Sequence, residues 1–401
     1  MKTIILPNKL KLIYVKKDID SVTIQVSVRV GSNYEPLKIN GISHFTEHMM
    51  FEGTQTRSAL EISNTIESKG GMFNAATTNE RTFFYVRMLQ KYVQESFDIL
   101  SDMMINPIFD EKLIEKERNV VLQEIDVVND QPRFYQWILF QRALFSSALK
   151  NPIYGRKEVV KSLSRNDFIT FHKKYYVPNN MALIVVGNVK NIEFLAKKYF
   201  GSLKPKKVSF QSIKEPANTK NKSISERRKL NQTYLVYGCK TPKRYEKGSY
   251  AMDILQAVLA RGQSGRLFDV LRNKYGLAYD VGVYHDPSLH TGVFAAFVAT
   301  SPNKTSLAKK LIQKEFGAMT SLSQKELDDA KSYIEGSLKL EEEDPVKLTE
   351  MLGNWEQQSS LEDMNNYLKN IKRIPLNEVR KLAQYYLGGN MCQASILPKT
   401  G

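Results

Sequence analysis

The feature that most constrains this chain is that it is written twice. Residues 175–181 read YYVPNNM and residues 385–391 read YYLGGNM, an offset of 210 positions. Each copy follows an amphipathic helical pattern, NDFITFHKKYY or LNEVRKLAQYY, and precedes an apolar strand, ALIVVGNV or CQASILP. Further pairs agree. In the first half SALEISNTIESKGG reads as a helix, opened by a Ser58/Glu61 capping box and ended by glycines. One long strand pattern, MFNAATTNERTFFYVRML, follows it. In the second half SGRLFDVLRNKYG is again a helix stopped by glycine, followed by LAYDVGVYHD and GVFAAFVAT. Two long charged helices, FDEKLIEKERNVVLQEIDVV and LSQKELDDAKSYIEGSLKL, also match, with the offset drifting as loop insertions would cause.

A repeat of this length predicts two homologous domains, since 401 residues exceed one ordinary core. The fold class expected is α+β, with domains over 1–207 and 229–401 joined by a lysine- and serine-rich connection at 208–228. Alternation at Val22, Ile24, Val26, Val28 and Val30 predicts a sheet with one face buried under helices. The pattern does not demand parallel crossovers, so a mainly antiparallel or mixed sheet is expected in each domain.

Composition excludes some functions. No apolar run approaches the roughly 20 residues that span a bilayer. The opening MKTIILPNKLKLIYVKKD reads as strands, not as a signal peptide. The expectation is therefore no membrane partner and a cytoplasmic location. Cys239 and Cys392 stand far apart in sequence and make no ligand pair. The net charge of +16 raises the question of nucleic acid. The lysines are scattered, and the denser stretches lack the interleaved aromatics of a nucleic-acid module. A solvated basic surface, with no nucleic-acid partner, is the expectation.

Two of the five histidines stand together in NGISHFTEHMMFEGT. Helical spacing puts His44 and His48 on one face, able to chelate one ion, with Glu47 on its adjoining edge. A catalytic zinc site takes three protein ligands, so a further donor is needed. The helix EKLIEKERNVVLQEIDVV offers Glu117 and Glu124, a heptad apart. Glu124 follows His48 by 76 residues and lies between apolar residues expected to bury it, a burial that a metal would make tolerable. The alternative is an amphipathic helix that happens to carry two histidines. The repeat weighs against it: the 210-residue offset carries positions 44 and 48 onto Ile254 and Val258 in AMDILQAVLARG. The fold does not need imidazoles there.

HxxEH followed by that glutamate is the inverted zinc signature. With the duplication, it makes essentially the whole chain resemble the pitrilysin family of zinc metallopeptidases, in the short branch that includes mitochondrial processing peptidase. The resemblance implies one zinc ion per chain on His44, His48 and Glu124, Glu47 as general base, and Glu117 supporting the ligands. It implies that GGMFNAATTNERT is an edge strand where Asn74 and Ala75 pair with an extended peptide. It also implies roles for Arg272 and Tyr279 in LRNKYGLAY: Tyr279 donates to the scissile carbonyl oxygen, and Arg272 holds the peptide backbone or the tyrosine. The implied enzyme is an endopeptidase whose domains enclose extended peptides in a chamber. A homodimer supplying Arg272 and Tyr279 in trans is the simplest assembly, with a heterodimer as alternative. Where processing peptidases carry acidic residues that read a presequence arginine, this chain has Phe134 and Ile138. General oligopeptide cleavage is expected instead. The competing functions are a noncatalytic scaffold subunit of the same fold and a basic nucleic-acid-binding protein.

Overall fold

The computed structural model describes residues 1–217 and 220–399. Eleven strands among them form two sheets. The first holds β1 (Lys2–Ile5), β2 (Lys11–Val15), β3 (Ser21–Val28), β4 (Met72–Thr77), β5 (Thr82–Leu89) and β6 (Met181–Val186), in the order β1-β2-β6-β3-β5-β4. The second holds β7 (Lys222–Arg228), β8 (Thr233–Thr241), β9 (Ala278–Pro287), β10 (Gly292–Thr300) and β11 (Cys392–Pro398), in the order β7-β11-β8-β10-β9. Apart from β1 the two orders are the same path. Each sheet has one parallel pair, β2 with β6 and β7 with β11, and is otherwise antiparallel. The duplication is thus a duplication of topology, within the α+β class expected.

Local structure departs from the sequence reading in three places. The single long strand predicted over 72–89 is a hairpin, β4 and β5, turning at 78–81. The turn is closed by the Thr78 N–H donating to the Arg81 carbonyl, with the Thr78 hydroxyl accepting from the Glu80 and Arg81 N–H groups. Lys222–Arg228, inside the stretch read as a connection, is strand β7. The polar face of the first sheet is also covered: Thr23, Gln25 and Ser27 on β3 are buried like Ile24 and Val26 between them.

What covers that face comes from the other half of the sequence. The chain divides into two compact units, and neither is a continuous segment. The first comprises Met1–Val127, Asn151–Ser212 and Glu341–Asn354; the second comprises Val128–Lys150, Ile213–Leu340 and Trp355–Gly401. In the first unit Gln25 Nε2 donates to the Thr349 carbonyl at 3.1 Å and Arg81 Nη2 to the Glu350 carbonyl at 3.2 Å. Gly353 lies so close to the sheet that a Cβ there would sit 2.3 Å from Arg81 Nη1. In the second unit the helix Pro132–Leu144 plays the corresponding part. Its Tyr135, Leu139, Phe140, Ala143 and Leu144 form one apolar cluster with Val236, Ala295, Cys392, Ala394 and Ile396 of the sheet. Apolar residues run around most of this helix, the pattern of a helix meant for burial. Cys239 and Cys392 stand on neighbouring strands yet belong to different clusters, and both are free thiols. Among the described residues no helix is long and apolar enough to cross a membrane.

The opposite face of the first sheet carries the larger cluster, including Phe45, Phe97, Phe168 and Phe200. Against it lies the helix Arg165–Tyr175, opened by a Ser164/Asp167 capping box. His172 on this helix donates from Nε2 to the Met104 carbonyl at 3.0 Å and stacks on Tyr176 at 4.8 Å. Burial lowers its pKa to about 4. Between about pH 6.5 and about 4 the unfolded chain therefore binds a proton that the folded chain refuses. The resulting stability is fully present above that window and lost as pH falls through it. His172→Phe should remove this loss, so urea unfolding of the metal-free protein from pH 7 to 4 should show the wild type losing about 2–3 kcal/mol more than the variant. Parallel pH curves would contradict it.

Candidate metal centre

The helix Ile42–Met49 is only eight residues long, and its N-cap, Gly41, has no side chain to offer. A free helix of two turns is marginal in water. Here its first amides are satisfied from a distance. The buried carboxylate of Glu35 accepts from the Gly41 N–H at 2.6 Å, the Ser43 N–H at 2.7 Å and Asn40 Nδ2 at 2.9 Å. Burial raises the Glu35 pKa, against the lowering effect of these hydrogen bonds. Nothing in the sequence marks Glu35; the only clue is a helix start lacking a capping side chain.

Two glycines then bring a neighbouring loop against this helix start. Gly41 has φ +100° and Gly155 has φ +82°, values that L side chains rarely adopt. A Cβ on Gly155 would sit 2.5 Å from the Asn40 carbonyl oxygen and 2.6 Å from Gly41 Cα. That close approach places the adjacent Tyr154 edge-on to the His44 ring, with centroids 4.8 Å apart.

His44, His48 and Glu124 each offer a ligand atom, and these atoms lie within 4.8 Å of one another. Both imidazoles address the same carboxylate oxygen: His44 Nε2 is 3.6 Å and His48 Nε2 3.4 Å from Glu124 Oε2. Ligands at zinc distances of about 2.0–2.2 Å in a tetrahedron stand about 3.3–3.6 Å apart, and both imidazole-to-carboxylate distances match that spacing. His48 Nδ1 lies 3.2 Å from Glu117 Oε2, which fixes the proton on Nδ1 and leaves Nε2 facing the cluster. Burial and the neighbouring His48 lower the His44 pKa to about 4. Burial also works against charge on His48, but Glu124 and Glu117 outweigh it and raise its pKa. The hydrogen bond from His48 lowers the Glu124 carboxyl, against burial.

The burial expected for Glu124 belongs instead to Glu117. The Glu117 side chain is 10% exposed, whereas the Glu124 side chain is 40% exposed. The helix Glu111–Asp130 carries both on one face, with Glu117 beneath His48 and Glu124 beside both imidazoles.

Glu47 points to the edge strand. Its Oε2 accepts from the Thr77 hydroxyl at 2.5 Å, and burial raises its pKa in spite of that bond. Thr77 ends β4, which is an edge of the sheet as expected. Asn74 and Ala75 lie on this edge, and the Ala75 N–H is held by Asn74's own Oδ1 at 2.9 Å. Arg272 and Tyr279 lie in the second unit. Arg272 sits in the π-helical turn Asp269–Lys274 with its guanidinium 4.6 Å over the Tyr279 ring, and Tyr279 is 82% exposed. Ile254 and Val258 are buried on the helix Gly248–Ala260, where the repeat predicted apolar residues.

Residues 11–157 match the family described as insulinase (peptidase family M16), and residues 162–334 match the description peptidase M16 inactive domain. The chain is 34% identical to an uncharacterized zinc protease of Rickettsia felis, covering 91% of this chain and 86% of that protein. It is 32% identical to an uncharacterized zinc protease of Bacillus subtilis, over 80% and 79% of the two chains. Among solved structures, a protease from Helicobacter pylori superposes with a TM-score of 0.94 at 22% identity over 99% of both chains. A Pseudomonas fluorescens structure titled peptidase M16 inactive domain superposes at 0.91 with 19% identity, over 100% of this chain and 98% of that one. Both likenesses concern the fold.

Two outcomes are expected of these contacts. Gly155→Ala should lower stability by about 2–4 kcal/mol in urea unfolding, from a strained backbone and an overlap with Asn40; an unchanged midpoint would show that the loop gives way. Glu117→Gln should weaken zinc binding to the metal-free protein about 10–100-fold in calorimetric titration, by loosening the orientation of His48. Unaltered affinity would exclude that role.

Proposed function

Because this chain belongs to peptidase family M16, the insulinase family, we propose that it is a zinc-dependent endopeptidase cleaving extended oligopeptides or unfolded segments. The observation that carries the reading is the convergence of His44, His48 and Glu124 with the unligated carboxylate of Glu47 beside them. His44, His48 and Glu124 would hold one zinc ion, which supplies Lewis acidity and makes a water acidic enough to lose its proton near neutral pH.

The chain's own groups do the rest. A peptide adds to the open edge of β4 as a further strand, displacing the Asn74 side chain from the Ala75 N–H. The backbone of Asn74 and Ala75 then fixes its register. Glu47 accepts the proton of the attacking water and returns it to the leaving amine nitrogen. Tyr279 donates a hydrogen bond to the carbonyl oxygen as that atom gains charge, and Arg272 holds the phenol ring. A phenol at once highly exposed and ring-stacked is suited to acting on a second molecule. We therefore take the working form to be a homodimer, in which each chain lends Arg272 and Tyr279 to its partner around a closed chamber.

One set of variants tests both parts. Glu47→Gln should keep about one zinc per chain by metal analysis and lose peptide cleavage by at least about 100-fold. Undiminished cleavage would remove Glu47 from the mechanism. Mixing Glu47→Gln chains with Tyr279→Phe chains should restore part of the activity. No recovery despite proven subunit exchange would rule out action in trans.

A further inference from the structure

We propose that Thr77 is a positioning residue for the general base, so that the strand receiving the peptide also aims the carboxylate that activates water. The inference rests on the endopeptidase reading above. Its starting point is the 2.5 Å bond from the Thr77 hydroxyl to Glu47 Oε2, a contact between residues 30 positions apart.

Three features make this more than an incidental contact. Glu47 lies on the same short helix as His44 and His48, so the base cannot be aimed by moving the helix without moving the ligands. Its carboxylate has to be oriented from outside, and Thr77 is the residue that reaches it. Thr77 is itself held: it pairs with Thr82 across the β4–β5 hairpin, and its hydroxyl lies 3.5 Å from the Thr82 hydroxyl. Thr82 in turn donates to the Val30 carbonyl at 2.9 Å and is fully buried. Since Thr77 gives its proton to Glu47 and Thr82 gives its own to Val30, the two hydroxyls are in contact only, and it is the strand pairing with buried Thr82 that fixes the position of Thr77. Thirdly, Thr77 ends β4, the edge strand of its sheet, so the group that holds the base belongs to the strand proposed to receive the peptide.

The bond also distinguishes the two oxygens, since Oε2 already accepts from Thr77. Thr77 lies on β4 two residues beyond Ala75, whose N–H is on the proposed docking edge.

Thr77→Val keeps the branched shape and strand preference but removes the hydroxyl; Thr77→Ser keeps the hydroxyl and loses a methyl. Kinetics on a fluorogenic oligopeptide should show Thr77→Val lowering kcat about 10–100-fold with KM within about twofold. Zinc content and unfolding midpoint should stay at the wild-type values, and Thr77→Ser should recover to within about threefold of wild-type kcat. Three results would overturn the inference: wild-type kcat in Thr77→Val while Glu47→Gln is inactive, a loss confined to KM, or a loss that tracks zinc content or stability. If wild-type, zinc-loaded protein cleaves no peptide, the endopeptidase reading itself has failed, a different outcome from any of these.

Discussion

The site depends on a buried carboxylate that touches no ligand. Glu35 gathers the Gly41 and Ser43 amides and so fixes where a two-turn helix begins. A helix this short has too few internal hydrogen bonds to hold its own direction. Its glycine N-cap lets the backbone turn at positive φ but gives no side chain to close the first turn. Once the start is fixed, spacing does the rest. His44 and His48 emerge on one face, Phe45 and Met49 enter the core, and Glu47 falls at the edge facing β4. The single carboxylate oxygen of Glu124 then meets both imidazoles.

Much of this could be read before any coordinates. The histidine spacing, the heptad from Glu117 to Glu124 and the apolar counterparts Ile254 and Val258 are local or periodic signals, and the structure arranges them accordingly. The duplication behind the 210-residue offset was legible too, because many of its helices and strands carry their own pattern, whereas the strand order was not. The polar surroundings were not. Glu35, Thr77 and Tyr154 reach the site through tertiary contacts, and no periodicity marks a residue whose partner lies across a turn or a sheet. The misjudged burial of Glu124 has the same origin: apolar neighbours along a helix say which face is inward, but not how far along it the covering elements extend.

The exchange of segments between the compact units was likewise invisible. Alternation along β3 correctly separated valines from Thr23, Gln25 and Ser27, and ordinarily that would mean one dry face and one wet one. Here the second face is dry as well, because a helix-forming segment supplies carbonyls 324 residues after Gln25 and 269 residues after Arg81. Gln25 and Arg81 on that face bind a backbone, and the sequence pattern of a solvated sheet is indistinguishable from that of a sheet docked in this way.

That exchange bears on how the protein is made. A ribosome releases the first sheet long before residues 341–354, so the nascent chain holds Gln25 and Arg81 without the carbonyls that will receive them. The second unit has the opposite history: its helix Pro132–Leu144 emerges early, with apolar residues around it and no second sheet yet to bury them. Until then the chain carries an orphan helix and an unfinished sheet face at once, and both are resolved only once residues 341–354 and β11 have been made. Each unit is therefore finished only after segments from both halves have been made, and a chain cut between the two halves would lack a structural part on either side of the cut.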